Sequence, residues 1–154
     1  IASPTMICAQ FPKCHGKEKE MARHEQIIHV DEALEKEIGI SRFVRTGNTV
    51  YMSGLLSEDE NFDLVGAGDM AAQVDRIYAR MEHALAAIGA TPKDVVSEIS
   101  FATDLAALGE AAHVRREYYQ RAGAALPAAT AVQVAGLFLE GAMLEIHPTV
   151  VLKD

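Results

Sequence analysis

Apolar and polar positions in this chain follow two rhythms. Met70, Val74, Ile77, Met81, Leu85 and Ile88 recur every three or four residues, which places them on one face of an α-helix. Asp69 offers an N-cap and Gly89 a terminator, so the spacing predicts a helix over 70–88. Its methionines belong to the core stripe. A second helix is predicted from about Leu105 to Arg121, closed by Gly123. Leu108, Ala112, Arg115 and Tyr119 share one side of it, with Ala111, Val114 and Tyr118 alongside. From that pattern Tyr118 and Tyr119 divide into one core and one edge residue, and Arg115-Arg116 forms a solvated face.

The other rhythm has period two. Leu144, Ile146, Val150 and Leu152 alternate with Glu145, His147 and Thr149, predicting a strand over 143–152 with one greasy side. Ser41–Arg45 and Thr49–Ser53 are strand-like, and Thr46-Gly47-Asn48 between them reads as a hairpin turn. Further strands are predicted at 26–30, at 95–103 with imperfect alternation, and at 129–135. Residues 31–38 read as a loop or one helical turn, and 57–68 as an acidic loop with a short strand near Leu64-Val65. Segregated helices and mostly hairpin-connected strands predict an α+β fold, with two helices on one face of a sheet. The uncovered face would carry Tyr51, Ser53, Thr130, Glu145 and His147. That set is too mixed for a core and too apolar nearby for open water, so association through that face, with a pocket at the seam, is expected.

Composition narrows the function. The 154 residues suit one domain with a full core. A net charge of −8 argues against nucleic acid as a partner, because phosphate binding needs a basic surface. No apolar run reaches the roughly 20 residues of a membrane span, so no membrane partner is expected. Residues 1–20 lack periodicity and hold both cysteines, two prolines and a Lys-Glu-Lys-Glu run. They read as a tag or upstream extension, expected to be disordered, with a single domain over 21–154 starting at Met21. Cys8, Cys14 and His15 are read as incidental rather than metal ligands, and no cofactor is expected. The cysteine-free body fits a reducing cytoplasm.

Six motifs occur in order along the chain. They are Gly39-Ile40-Ser41-Arg42-Phe43-Val44, Gly47-Asn48-Thr49-Val50-Tyr51-Met52-Ser53-Gly54 and Ala71-Ala72-Gln73, then Gly89-Ala90-Thr91-Pro92-Lys93-Asp94-Val95-Val96, Leu126-Pro127-Ala128 and Leu144-Glu145-Ile146. Over residues 25–152 the chain resembles the RidA/YjgF (reactive intermediate deaminase) family. The resemblance implies a chorismate-mutase-like fold and a homotrimer whose sheets line a central barrel, with small-molecule pockets between subunits. It also implies hydrolysis of enamines or imines to ketones and ammonia. In that chemistry a last-strand glutamate, here Glu145, holds the attacking water, and backbone at the Ser53-Gly54 pair contributes to the pocket. The family's carboxylate-gripping arginine falls on Ala129, whose methyl group cannot replace a guanidinium. Leu55 stands where glutamine is common, and Ile40 where an aromatic is.

Three roles fit Glu145: water activator, acceptor for backbone amides, or interface ion pair. His147, on the same strand face, suits a general acid near neutrality or a structural imidazole. Arg42 could anchor substrate in place of the missing arginine, or pair with an acidic loop. Ser53 is read as a pocket hydrogen-bonder, with Tyr51, Gly54, Ala129 and Thr130 completing the substrate side. These residues point to a cytoplasmic, trimeric hydrolase or deaminase acting on a small imine, enamine or related unsaturated metabolite of catabolism. The rival reading is a non-catalytic trimeric small-molecule binding protein on the same scaffold.

Overall fold

The computed structural model describes residues 26–29 and 32–153. The expectations for residues 1–20, Cys8, Cys14, His15 and Met21 lie outside the described residues. Within them the order is β1 Gln26–Ile28, α1 Glu32–Ile38, β2 Phe43–Thr46, β3 Thr49–Met52, β4 Leu55–Leu56, α2 Met70–Ala87, β5 Val95–Ala102, α3 Leu105–Glu110, α4 Ala112–Arg121, β6 Ala128–Gln133 and β7 Leu144–Val151. One mixed sheet runs β1-β2-β3-β7-β5-β6, with β4 continuing the line of β3 against β7. Only β5 and β6 pair in parallel, through the crossover that carries α3 and α4. All other pairings are antiparallel.

The α2 stripe forms as its spacing dictates. Met70, Val74, Ile77, Met81 and Leu85 are all buried, against Phe43, Val50, Leu144, Ile146 and Val150 of the sheet. Asp69 caps the helix by accepting from the Ala72 amide at 3.0 Å. At the other end Gly89, at φ +70°, sends its N–H to Ala86 O, and Ala90 sends its own to Leu85 O. That pair of bonds is a Schellman motif, which needs a left-handed residue where the glycine stands.

Three local expectations change, and a fourth gains its cause. Residues 32–38 form a two-turn helix whose Glu35 is buried, held by His29 Nδ1 at 2.6 Å and the Arg42 amide at 3.1 Å. The short strand after β3 is Leu55–Leu56 rather than 64–65, where Leu64 makes only an isolated bridge to Glu58. The single helix expected over 105–121 is interrupted at Ala111, at φ −80° and ψ 0°, where the N–H still donates to Ala107 O but the carbonyl accepts from Val114 in a tighter turn. The imperfect alternation of β5 has a physical cause. Val95 pairs with Val150 and Ser97 with Thr149, so Val96 is an extra residue in a β-bulge. After the bulge the strand resumes period two, and Glu98 faces the helices.

Glu98 is 1% exposed, and the layer between sheet and helices is organised about it. Its Oε2 accepts from Arg115 Nε at 2.7 Å, and its Oε1 from the Tyr119 hydroxyl at 2.7 Å, while Tyr78 OH lies 3.4 Å from Oε2. Arg115 and Tyr119 are one helical turn apart, so both reach the same carboxylate. Arg115 is therefore no solvated cation, and Tyr118 and Tyr119 are both buried. Burial first, then the Glu98 charge, pushes the Tyr78 and Tyr119 phenols well above their ordinary range. Burial opposes the Arg115 charge, but Glu98 outweighs it and raises the pKa.

Removing the carboxylate while keeping the guanidinium should be costly. Glu98→Ala is expected to lower unfolding free energy by about 3 kcal/mol, since it strands a partly buried cation. Tyr119→Phe should cost about 1–2 kcal/mol, because it leaves Glu98 one bond short. Urea titrations of both variants, read by circular dichroism, measure this.

Candidate functional site

Strand β7 sits in the middle of the sheet, so its two faces see different worlds. Leu144, Ile146, Pro148 and Val150 are buried toward the helices. Glu145, His147, Thr149 and Val151 point to the uncovered face. The registers extend this face into cross-strand rows. One row runs Thr130, Ile99, His147; the next Val132, Phe101, Glu145, Leu56; a third Ala128, Ser97, Thr149, Tyr51, Val44. Tyr51 is 53% exposed, and Ile99, Val132 and Val151 are likewise open, so this face is apolar around the Glu145–His147 pair.

The sheet makes room for that pair through a defect. The last β3–β7 couple is Tyr51 with Thr149, and the first β4–β7 couple is Leu55 with Ile146. Met52, Ser53 and Gly54 thus stand opposite only His147 and Pro148. Proline has no N–H for a ladder, and the chain bulges where it sits. Gly54 fills the bulge. A Cβ there would overlap Glu145 Oε1 and lie 2.8 Å from His147 Nε2, so the absent side chain is the space these two groups occupy.

Glu145 Oε1 and His147 Nε2 are 3.4 Å apart, with side chains 23% and 45% exposed. That separation is loose for a direct hydrogen bond, and an oxygen or nitrogen of a ligand could touch both groups. Phe101 meets the imidazole edge-on at 5.8 Å, fixing the ring's lateral position. Ser53 Oγ donates to Ser41 O at 2.8 Å, and the Ser53 amide to Arg42 O at 3.0 Å. Its hydroxyl proton is thereby committed to the backbone, leaving lone pairs to accept.

Gln73 anchors the approach to β7. Its amide nitrogen donates to Gly66 O at 3.1 Å and Gly141 O at 3.2 Å, and its carbonyl accepts from the Met143 amide at 2.8 Å. One buried side chain thus ties α2 to the residue two places before Glu145. Sequence reading noted the Ala71-Ala72-Gln73 motif without this role. It missed Glu98 as well. The signal was an acidic residue inside an apolar strand, with Arg115 and Tyr119 one turn apart on the following helix.

The sequence-predicted residues divide. Tyr51, Thr130, Glu145 and His147 share the open face, with Ser53 and Gly54 at its bulge. Ala129 pairs with Glu98, which turns it toward the helix side. Arg42 lines a separate cavity with Arg76 and Arg80. Among the described residues, no three His, Cys, Asp or Glu side chains converge as a metal ion would require. No helix there is long and apolar enough to cross a membrane.

The comparisons with known proteins agree with one another. The profile of the family described as endoribonuclease L-PSP matches residues 30–152. A curated relative, the 3-aminoacrylate deaminase RutC of Acinetobacter baylyi, is 37% identical over 102 residues, which is 66% of this chain and 78% of the relative. Among solved structures, a Mycobacterium tuberculosis member of the YjgF/YER057c/UK114 family is 27% identical, with a TM-score of 0.66 over 82% of this chain and 98% of that one. Escherichia coli TdcF with bound serine gives 0.67 over 73% and 87% at 23% identity, a likeness of fold alone.

Gly54→Ala tests the bulge. The groups it meets are the ends of side chains that are at least partly open to solvent, so the chain should fold with a melting temperature within about 5 °C of wild type. Glu145 should swing out and its contact with His147 open. A crystal structure of the variant reads both.

Proposed function

This chain belongs to the RidA/YjgF family, also described as endoribonuclease L-PSP, and on that footing we propose that it hydrolyses a small imine or enamine to a carbonyl compound and ammonia. The observation that carries this reading is the Glu145–His147 pair above the Gly54 bulge. Both groups needed to hydrate a C=N bond stand within reach of one small molecule.

The steps balance without a cofactor. An enamine substrate first takes a proton at carbon and gives one up from nitrogen, becoming the imine. Glu145 accepts a proton from water as its oxygen bonds to the imine carbon, and the C=N π pair moves to nitrogen. His147, in its protonated form, gives nitrogen a proton, so a neutral carbinolamine forms. The proton that Glu145 took from water then passes to nitrogen, and ammonia leaves as the C=O bond closes and the hydroxyl proton goes to His147, which restores both groups. Ser53 lone pairs and the Gly54 backbone border the pocket, while Ile99, Phe101 and Tyr51 give the substrate body an apolar surface. Closing that face in a homotrimer would remove exposed apolar area and exclude water from the intermediate.

The substrate must differ from that of members holding a carboxylate with arginine, because Ala129 has no charge to offer and faces the helix side. The compatible class is a compact imine or enamine gripped by its nitrogen and apolar body. The name of the matching family keeps ribonuclease activity in view. Against it stands the net charge of −8, which repels a polyphosphate chain.

Ammonia release from a panel of freshly generated imines and enamines tests the reading. Glu145→Gln should lower kcat by about a hundredfold or more, and His147→Ala by about tenfold or more. Saturable binding of the panel compounds without turnover in wild type would replace the enzyme by a binding protein. Light scattering should give three times the chain mass, and a monomer would remove the seam.

A further inference from the structure

A second cavity of about 440 Å³ lies away from the Glu145 face, between α2, the start of β2 and the loop at 59–62. Phe43 and Leu55, both core residues, form its floor, and Ala84 and Ala87 line it from α2. Above that floor the lining is charged: Arg42, Arg76 and Arg80 stand there with His83 and three carboxylates. Arg80 is satisfied, with Nη2 on Glu58 Oε1 at 2.7 Å and Nη1 on Leu56 O at 2.6 Å. Arg76 uses only Nε, which donates to Glu58 O at 2.9 Å. Among the described residues the Arg42 guanidinium has no hydrogen bond or ion pair.

Acids share the cavity with these arginines: Glu35, Asp59 and Glu60 line it as well, and after the Asp63 and Asn61 amides the Arg76 charge helps hold the Asp59 carboxyl below its usual range. Glu58 is engaged by Arg80, and Glu35 by His29 and the Arg42 amide. Asp59 turns Oδ1 to the Asn61 and Asp63 amides, and Glu60 is exposed at the rim. The like charges are close enough to act on each other: burial chiefly lowers the Arg80 pKa, and Arg42 and Arg76 add to that effect against Glu58. The cavity wall also holds a strained residue. Phe62 has φ +66°, a left-handed conformation unusual for an aromatic, and lines the cavity.

We propose that this cavity binds an organic anion, a carboxylate or phosphate on a compact apolar body, with its charged head on Arg42 and Arg76 and its body over Phe43 and Leu55. The planar guanidinium fork matches either oxyanion in two parallel hydrogen bonds. The volume falls within the range of small-molecule sites, with an apolar floor beneath a charged rim. Arg80, already tied to Glu58 and Leu56, is the fixed wall rather than the grip. The proposal stands apart from the hydrolytic reading, since it uses none of the residues on the open face.

Calorimetric titration of the full chain with benzoate, phenyl phosphate and uncharged benzamide tests it. At least one anion should saturate at one per chain, and benzamide should bind at least about tenfold more weakly. Arg42→Ala and Arg76→Ala should each weaken the anion by about tenfold or more. Ala84→Met, which fills the cavity from a helix position and keeps every charge, should abolish binding with the melting temperature retained. Glu145→Ala should leave it unchanged. The preference between benzoate and phenyl phosphate identifies the head group. The proposal is overturned if neither anion saturates at millimolar concentration, if benzamide binds equally, if Ala84→Met leaves binding intact, or if Glu145→Ala removes it.

Discussion

The alternation of β7 within the centre of the sheet is the constraint on which the rest of this molecule depends. A strand paired on both sides cannot rotate, so every second residue is committed to one face. Leu144, Ile146 and Val150 close the core against α2, and that same packing forces Glu145 and His147 outward together. A slip of one residue would bury the carboxylate and imidazole and expose three core residues. The hydrophobic side of the strand therefore fixes the register of the chemistry on its other side.

Buried polar groups then set the elements around that strand. Gln73 binds three backbone groups from two loops and so delivers the chain to β7 at a defined point. Glu98 gathers Arg115, Tyr119 and Tyr78, locking the crossover helix onto β5. Each group is tolerated in the interior because it is nearly saturated with partners. The Tyr118 hydroxyl is the exception, buried and without one among the described residues. The functional face and the core are thus coupled: β5, which carries Ile99 and Phe101 outward, is positioned from behind by Glu98.

Charge is distributed unevenly between the two sides of the sheet. The open face carries one carboxylate and one imidazole in apolar surroundings, suited to moving protons on a small neutral molecule. The cavity on the far side sets three arginines among three carboxylates over an apolar floor. Arg42 reaches the second environment because it precedes the first residue of β2 and so lies outside the strand's alternation, although its backbone carbonyl is bonded to Ser53 at the first. Linear proximity to the Ser53-Gly54 pair said nothing about which side its long side chain would take.

Much of this was legible from residues alone. The α2 stripe with Asp69 and Gly89, the hairpin at Gly47, and the strand carrying Glu145 and His147 all follow from local periodicity and capping, which need no knowledge of the rest of the chain. The six motifs in order supplied the family and its fold. What sequence missed were contacts between distant segments: the Glu98–Arg115–Tyr119 cluster, the Gln73 ties, and the guanidiniums of Arg42, Arg76 and Arg80 around one cavity. The β5 bulge at Val96 belongs with them, because a bulge is defined by the partner strand. So does the Gly54 bulge, where Pro148 interrupts a ladder that only the β3–β7 pairing creates. The sequence by itself determined which residues alternate and where helices start and stop, since those depend on neighbours along the chain. Only the tertiary structure decided which charges meet, because burial and distance in space are properties of the packed chain.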